Sequence, residues 1–189
     1  CLKRRSHRFD SKNYNFRIDT RNIRDGDWTI DNTPPELMKR HVELTGPGND
    51  AKMVINSLNS EADGYMLDLE DSMSPTFNNV IDAHHNIIEA YRGNLVDYKY
   101  DSNKNISKKY EINTNPKPYM FVRTRGMHIY EENVKFNGNS IPAPIFDIGV
   151  YLFHNGKYLL ENDKLPYLYI PKLENYEDAV FINNLLIET

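Results

Sequence analysis

The chain has 189 residues, of which 39% are hydrophobic and 26% are charged, and its formal net charge is −4. This length is sufficient for one domain with a hydrophobic core, and the lack of any run of about 18 apolar residues excludes a membrane-spanning helix. A pI of about 5.9 argues against nucleic acid as the main partner, because nucleic-acid-binding domains usually carry a basic surface.

Residues 1–39 are polar and rich in turn-forming residues, with basic residues concentrated near the start. We interpret them as an N-terminal polar arm or part of an extra domain, and an anchor for an anionic surface is the alternative for the polar, basic residues 1–26. The one cysteine, Cys1, cannot form an internal disulfide, which fits a reducing compartment.

Because the chain begins with Cys1 and ends directly after the apolar run Leu185–Ile187, we expect it to be part of a longer protein.

Short apolar segments alternate with amphipathic segments from residue 40 onward. The apolar segments predict strands at Val42–Thr45, Tyr65–Glu70, Tyr119–Arg123, Tyr167–Ile170 and Leu185–Ile187. Helices are predicted at 50–59, 75–92, 145–160 and 176–183, and their N-caps are expected at Asn49–Asp50, Ser74 and Asn175. Residues 97–118 contain a polar loop and are predicted to form a surface insertion, such as a hairpin.

Alternating strands and helices predict an α/β fold with a parallel sheet built from right-handed βαβ units. Five strands could form a doubly wound sheet or the first part of a (β/α)8 barrel. A complete barrel typically needs about 250 residues. We therefore predict that residues 40–189 form an incomplete TIM barrel with about its first five strands.

Charged residues lie where the predicted strands end. Side chains alternate between the two faces of a strand, so Asp68 shares a face with Glu70, and Arg123 with Arg125. Active sites of barrels and open α/β sheets lie at the C-terminal ends of their strands. We expect Asp68, Glu70 and Arg123 to converge there with Glu188, from the predicted fifth strand.

Three carboxylates and one or two guanidinium groups suggest a specific chemistry. Carboxylate oxygens suit Mg²⁺, and an arginine can bind a carboxylate or stabilise an oxyanion. The residues alone leave an equal alternative, in which Asp68 and Glu70 form an internal ion-pair network with Arg123 or Arg125. His84 has no partner at metal-ligand spacing, so we interpret it as a packed or surface residue.

Eight segments, which occur in the family order, resemble malate synthase, most closely its shorter A-type enzymes. They are Ile23–Trp28, Val42–Pro47, Lys52–Asn59, Asp68–Ser72, Val122–His128, Phe146–Asn155, Tyr167–Lys172 and Leu185–Thr189. The resemblance implies a (β/α)8 barrel with added domains. It also implies condensation of acetyl-CoA with glyoxylate and thioester hydrolysis to malate and CoA, with Mg²⁺, in a peroxisome, glyoxysome or cytoplasm.

The resemblance also implies roles for individual residues. Arg123 matches the catalytic arginine, which binds glyoxylate and stabilises the enolate of acetyl-CoA. Glu188 matches one of two Mg²⁺ ligands, whereas Asp68 and Glu70 match acids near the water molecules of the metal.

Three further positions match residues close to acetyl-CoA, namely Ser72, Lys52 and Met53. Acetyl-CoA and glyoxylate are the expected partners, without nucleic acid or membrane, and the sequence does not predict the oligomeric state. The general base of the family and its second Mg²⁺ ligand match positions beyond Thr189, so we expect this chain alone to be inactive.

One departure from the family lies between Asn183 and Leu185, where the family has a longer segment. A crossover between parallel strands usually needs a dozen or more residues, which this chain barely provides. The position of Glu188 depends on this region.

Two alternatives to an active malate synthase stay open: a non-catalytic malate-synthase-like chain, or a Mg²⁺-dependent acyl-CoA C–C lyase of the citrate-lyase β type. The segments Asp27–Trp28 and Phe153–Asn155 favour malate synthase over the lyase.

Overall fold

A parallel four-stranded sheet lies at the centre of the computed structural model, which describes residues 15–103 and 106–188. In chain order the strands are β1 (Glu43–Pro47), β2 (Gly64–Asp68), β3 (Val96–Asp101), β4 (Ile106–Glu111), β5 (Tyr119–Arg123), β6 (Tyr130–Phe136), β7 (Asn139–Pro142) and β8 (Tyr167–Tyr169). The central sheet has the order β1-β2-β5-β8, and all its neighbours are parallel. The prediction of an α/β fold with a parallel sheet is confirmed.

Helices precede, connect and follow the strands of this sheet. They are α1 (Arg21–Arg24), α2 (Ala51–Leu58), α3 (Phe77–Tyr91), α4 (Ala143–Glu161) and α5 (Tyr176–Glu188), and a 3-10 turn spans Pro35–Leu37. Among the described residues, every helix is too short or too polar to cross a membrane. The predicted boundary of a domain near residue 40 stays a prediction.

Local hydrogen bonds set the helix starts. The Asp50 side chain accepts a 2.9 Å hydrogen bond from the Met53 amide, which caps α2 as expected. The predicted start of α3 at Ser74 is wrong, because extended Thr76 is the N-cap and its hydroxyl accepts a hydrogen bond from the Asn79 amide. Gly93, at a φ of 71°, follows the end of α3, where a left-handed conformation favours glycine.

The core lies between one face of the sheet and helices α2, α3 and α4. Alternate residues of β2 and the residue after it (Tyr65, Leu67 and Leu69) are fully buried in this layer, together with Val80 and Ile87 of α3. Burial of each such side chain contributes roughly 1.5–3 kcal/mol. The opposite face of the sheet is partly exposed, and it carries the polar side chains described below.

Two hairpins accompany the sheet. Strands β3 and β4 pair antiparallel within the segment that we interpret as a surface insertion. The sequence analysis missed the second hairpin, β6–β7. Its two-residue turn is Asn137–Gly138, with φ values of 50° and 80°, which are typical of a type I′ turn. The Asn-Gly pair was the available signal.

The predicted fifth strand at Leu185–Ile187 is wrong, because these residues form the last turns of α5. Asn184 joins Leu185 directly, so the chain has no loop in which to reverse and enter a sheet. Ile182 and Leu185, three residues apart, share one side of the helix and pack with Met127 and Ile148. Cys1 and Thr189 lie outside the described residues.

Candidate active site

The site lies at the C-terminal ends of β2 and β5. Asp68, the last residue of β2, pairs in register with Arg123, the last residue of β5. The Leu69 amide donates a 2.9 Å hydrogen bond to the Arg123 carbonyl, so the chain after β2 stays beside β5. This register places Asp68, Glu70 and Asp71 within reach of the Arg123 guanidinium group.

Arg123 contacts three carboxylates. Its Nη2 atom lies 2.7 Å from both Glu70 Oε2 and Asp71 Oδ2, and its Nη1 atom lies 3.3 Å from Asp68 Oδ2. On the neighbouring strand, the Tyr169 ring centroid is 5.7 Å from the guanidinium carbon. Burial lowers the pKa of Arg123, but the hydrogen bond to Asp71 and the three negative charges raise it further, so the net shift is upward.

Lys172 is the second cation of the site and was not singled out from the sequence. Its Nζ atom donates hydrogen bonds to Glu70 Oε1 at 2.6 Å and to Asp71 Oδ1 at 3.1 Å. The hydrogen bond from Lys172, followed by that from Arg123, lowers the pKa of Asp71. We call Asp68, Glu70, Asp71, Arg123 and Lys172 the Arg123 cluster.

Buried Asp68 shapes the turn after β2. Its Oδ1 atom accepts the Glu70 amide at 2.8 Å, and its Oδ2 atom accepts the Ser72 hydroxyl at 2.7 Å and the Ser72 amide at 3.1 Å. A Cβ atom on Gly126 would lie 3.1 Å from Glu70 Oε1 and 2.6 Å from a ring carbon of His128. The turn and the small residue together let Glu70 approach Arg123.

The expectation that Arg125 shares a face with Arg123 is wrong. Strand β5 ends at Arg123, so the alternation of faces does not extend to Arg125, which is buried beneath α4. Its guanidinium group donates to Asp147 Oδ1 at 2.7 Å and to Glu131 Oε2 at 2.9 Å. His84 is buried beside them, as a packed histidine, with Nε2 3.7 Å from Asp147 Oδ1.

The other expected substrate-binding residues have contacts of their own. Lys52, in the first turn of α2, places Nζ 5.1 Å from the Tyr110 ring centroid in β4. Met53, the next residue, is 44% exposed. Ser72 is hydrogen-bonded to Asp68 and is therefore the one of the three that contacts the Arg123 cluster directly.

Glu188 does not join the other acids as expected, because it is exposed in the last turn of α5 rather than at the end of a strand. Within residues 15–103 and 106–188, no group of three His, Cys, Asp or Glu side chains is placed to hold a metal ion. Both oxygens of Asp68 already accept hydrogen bonds from the protein. The side chains in this arrangement do not fit a Mg²⁺ site.

Asp71 and Lys172 are the site residues that sequence reasoning missed. Asp71 directly follows Glu70, and Lys172 follows the end of β8 by three residues. The rule that functional side chains lie at the C-terminal ends of parallel strands was available for both. It was applied to Asp68, Glu70 and the arginines but not to Asp71 or Lys172.

A family model and several relatives that match this chain carry the same family name. A family model described as "Malate synthase, TIM barrel domain" matches residues 119–189. Malate synthase A of Escherichia coli (strain K12) is 39% identical over 166 residues, which are 88% of this chain and 30% of the relative. Malate synthase of Myxococcus xanthus (strain DK1622) is 37% identical over 171 residues, 90% of this chain and 30% of the relative.

A glyoxysomal malate synthase of Candida tropicalis is 37% identical over 174 residues, which are 90% of this chain and 30% of the relative. The chain thus spans about 30% of the length of these relatives. Most of its own length is matched, including the strands that carry Asp68 and Arg123. The chain belongs to the malate synthase family.

Proposed function

We propose that this chain provides the arginine–carboxylate part of a malate synthase active site, which condenses acetyl-CoA with glyoxylate and hydrolyses the thioester to give malate and CoA. The observation that carries the proposal is the contact of Arg123 with Asp68, Glu70 and Asp71 at the ends of two parallel strands. The names of the relatives support the choice of reaction.

Arg123 is the residue that we propose to bind glyoxylate and to stabilise the enolate oxygen of acetyl-CoA. A guanidinium group offers several N–H donors in a planar array that matches a carboxylate or an oxyanion. Among the described residues, the buried Nε atom of Arg123 has no hydrogen-bond partner. A buried donor without a partner is costly, so an acceptor that reached this Nε atom would be favoured.

The acids and the acetyl-CoA residues have supporting roles in this proposal. Asp68 holds Ser72 in the turn, and Glu70 orients Arg123. Ser72 would lie on the acetyl-CoA side, with Lys52 and Met53 in the first turn of α2. That helix begins after β1, at the same end of the sheet as Asp68.

Magnesium remains an expectation from the family resemblance. It would supply a Lewis acid for the aldehyde of glyoxylate, and Glu188 is the residue proposed to ligate it. Because the side chains do not fit a metal ion in this arrangement, we derive no step through it. For the compartment, we propose a peroxisome, a glyoxysome or the cytoplasm, and several relatives, such as that of Candida tropicalis, are named glyoxysomal.

Calorimetric titration of the chain with glyoxylate tests the role of Arg123. We expect Arg123→Gln to weaken binding about 10- to 100-fold, because a hydrogen bond between charged groups contributes roughly 1.5–3 kcal/mol. Arg21→Gln is the matched control, since Arg21 lies on exposed α1 and pairs with Asp25. Equal binding by wild type and Arg123→Gln, or no binding by the wild type, would contradict the proposal.

A non-catalytic relative that binds CoA thioesters is the second candidate, and the exposed position of Glu188 favours it. It predicts binding of acetyl-CoA without binding of glyoxylate. Neither candidate predicts free thiol when this chain is mixed with both substrates, because the resemblance places the general base outside these 189 residues. Release of CoA in a colorimetric thiol assay would show that this expectation is wrong.

A further inference from the structure

Arg123 and Lys172 share the same two carboxylates. Glu70 directs Oε2 to Arg123 and Oε1 to Lys172, and Asp71 directs Oδ2 to Arg123 and Oδ1 to Lys172. The four side chains therefore form a closed ring of alternating charge, with distances from 2.6 to 3.1 Å. Each carboxylate is fixed at both oxygens, so neither can rotate without breaking a contact.

The backbone of Lys172 is unusual. Its φ of 56° lies in the left-handed region, which residues other than glycine rarely adopt. It follows the buried Pro171, just beyond the end of β8. Strain of this kind persists where the surrounding structure holds it, and it clusters at functional sites. Here the strained residue brings an ammonium group to two carboxylates on a neighbouring strand connection.

Burial distinguishes the Glu70–Arg123 side of this ring from a surface ion pair. The Glu70 side chain is 3% exposed and that of Arg123 is 15% exposed, whereas Lys172 is 41% exposed and Asp71 is 57% exposed on the solvent side of the ring. Solvent screens the contacts of Glu70 less than those of fully exposed pairs. The ring is therefore expected to restrict the orientation of Arg123.

Charge gives the ring a consequence for anion binding. Asp68, Glu70 and Asp71 carry three negative charges and Arg123 one positive charge, which would leave a net charge of −2 without Lys172 and leaves −1 with it. An anion approaching Arg123 meets less repulsion when the second cation is present.

We propose that Lys172 is a positioning residue of this site, which holds Glu70 and Asp71 in the orientation that fixes Arg123 and offsets their charge so that Arg123 can bind a small carboxylate anion. The anion-binding half of this inference rests on the proposed function. The positioning half does not, because it concerns the Arg123 side chain alone.

NMR of the arginine side chains tests the positioning half without substrate. Lys172→Met, which removes the charge at similar length, should shift the Arg123 guanidinium signals and accelerate rotation about its Cζ–Nε bond at least about twofold. Lys172→Arg should restore slow rotation, because it keeps a donor cation beside both carboxylates. Lys157→Met is the control, since Lys157 is 84% exposed on α4 and pairs with Glu161.

Glyoxylate titration of the same variants tests the anion-binding half of the proposal. Lys172→Met should weaken binding about tenfold, and Lys172→Arg should lie within about threefold of wild type. Lys172→Gln serves as a second neutral variant if Lys172→Met does not fold. Unchanged Arg123 signals in the folded neutral variants would overturn the positioning role. Shifted Arg123 signals with no glyoxylate binding by wild type would support that role and overturn the proposed function instead.

Discussion

At the scale of single residues, two arginines that stand two positions apart have different environments. Arg123 lies at the end of β5 among three acids, one of them exposed, whereas Arg125 is enclosed by Asp147 and Glu131. The Arg125 amide also donates to Asp147 Oδ2 at 2.8 Å, so Asp147 anchors both the backbone and the guanidinium group. Burial raises the pKa of Asp147, but the nearby imidazole of His84 and the hydrogen bonds and charge of Arg125 lower it further, so the net shift is downward.

Asp147→Asn tests the anchor. Removing one partner of a buried ion pair costs about 3–5 kcal/mol, because an uncompensated charge stays buried. We expect a loss near the lower end of this range, about 3 kcal/mol in urea unfolding, since Glu131 still contacts Arg125. Asp82→Asn on the exposed side of α3 is the control. Ordinary surface substitutions change the free energy of unfolding by less than about 0.5 kcal/mol. A loss that small for Asp147→Asn would contradict the anchoring role of Asp147.

Sequence reasoning predicted the four strands of the central sheet and the meeting of Asp68, Glu70 and Arg123 at the C-terminal ends of these strands. These follow from local periodicity and from the strand-end rule. The burial of Arg125 could not be predicted, because it depends on Asp147, 22 residues away on another element. The left-handed conformation of Lys172 is likewise set by tertiary contacts, since no glycine marks the position.

At the scale of elements, helix α5 replaces a predicted strand, and a two-residue turn builds hairpin β6–β7. The apolar run Leu185–Ile187 was ambiguous, because a short apolar segment fits a strand or a helix equally well. Because no loop follows Asn184, the chain continues as a helix through these residues. In the hairpin, by contrast, the Asn-Gly turn is a local signal that determines the pairing of β6 with β7.

Two glycine substitutions test these element-level assignments. Gly138→Ala should destabilise the protein by about 1 kcal/mol, because φ at Gly138 is 80° and alanine disfavours it. Gly156→Ala should instead stabilise it by roughly 0.5–1 kcal/mol, because Gly156 lies within α4 and a Cβ atom there would meet no atom within 4 Å. Thermal unfolding measures both changes. Equal effects of the two variants would contradict the turn assignment.

At the scale of the whole molecule, the described sheet has strand β1 at one edge and β8 at the other, and each pairs with one neighbour. The family resemblance expects a closed barrel, in which neither strand would be an edge. Open edges present unpaired backbone groups, and nearby apolar side chains such as Tyr169 and Val180 are about half exposed.

We therefore expect this 189-residue chain to self-associate. Sedimentation velocity over roughly a tenfold to hundredfold range of concentration should show a weight-average mass that rises above 22.1 kDa. The physical reason is strand pairing at the open edges, which a monomer leaves unsatisfied. A single species of monomer mass at every concentration would contradict this expectation.

The central claim is that Arg123, held by Glu70 and Asp71, binds a small carboxylate at the mouth of the sheet. A crystal structure of the chain soaked in glyoxylate tests it most directly. The account predicts density for glyoxylate with a carboxylate oxygen at hydrogen-bond distance from the Arg123 guanidinium group, roughly 2.7–2.9 Å. Glyoxylate bound elsewhere, or an Arg123 side chain directed to the opposite face of the sheet, would contradict it.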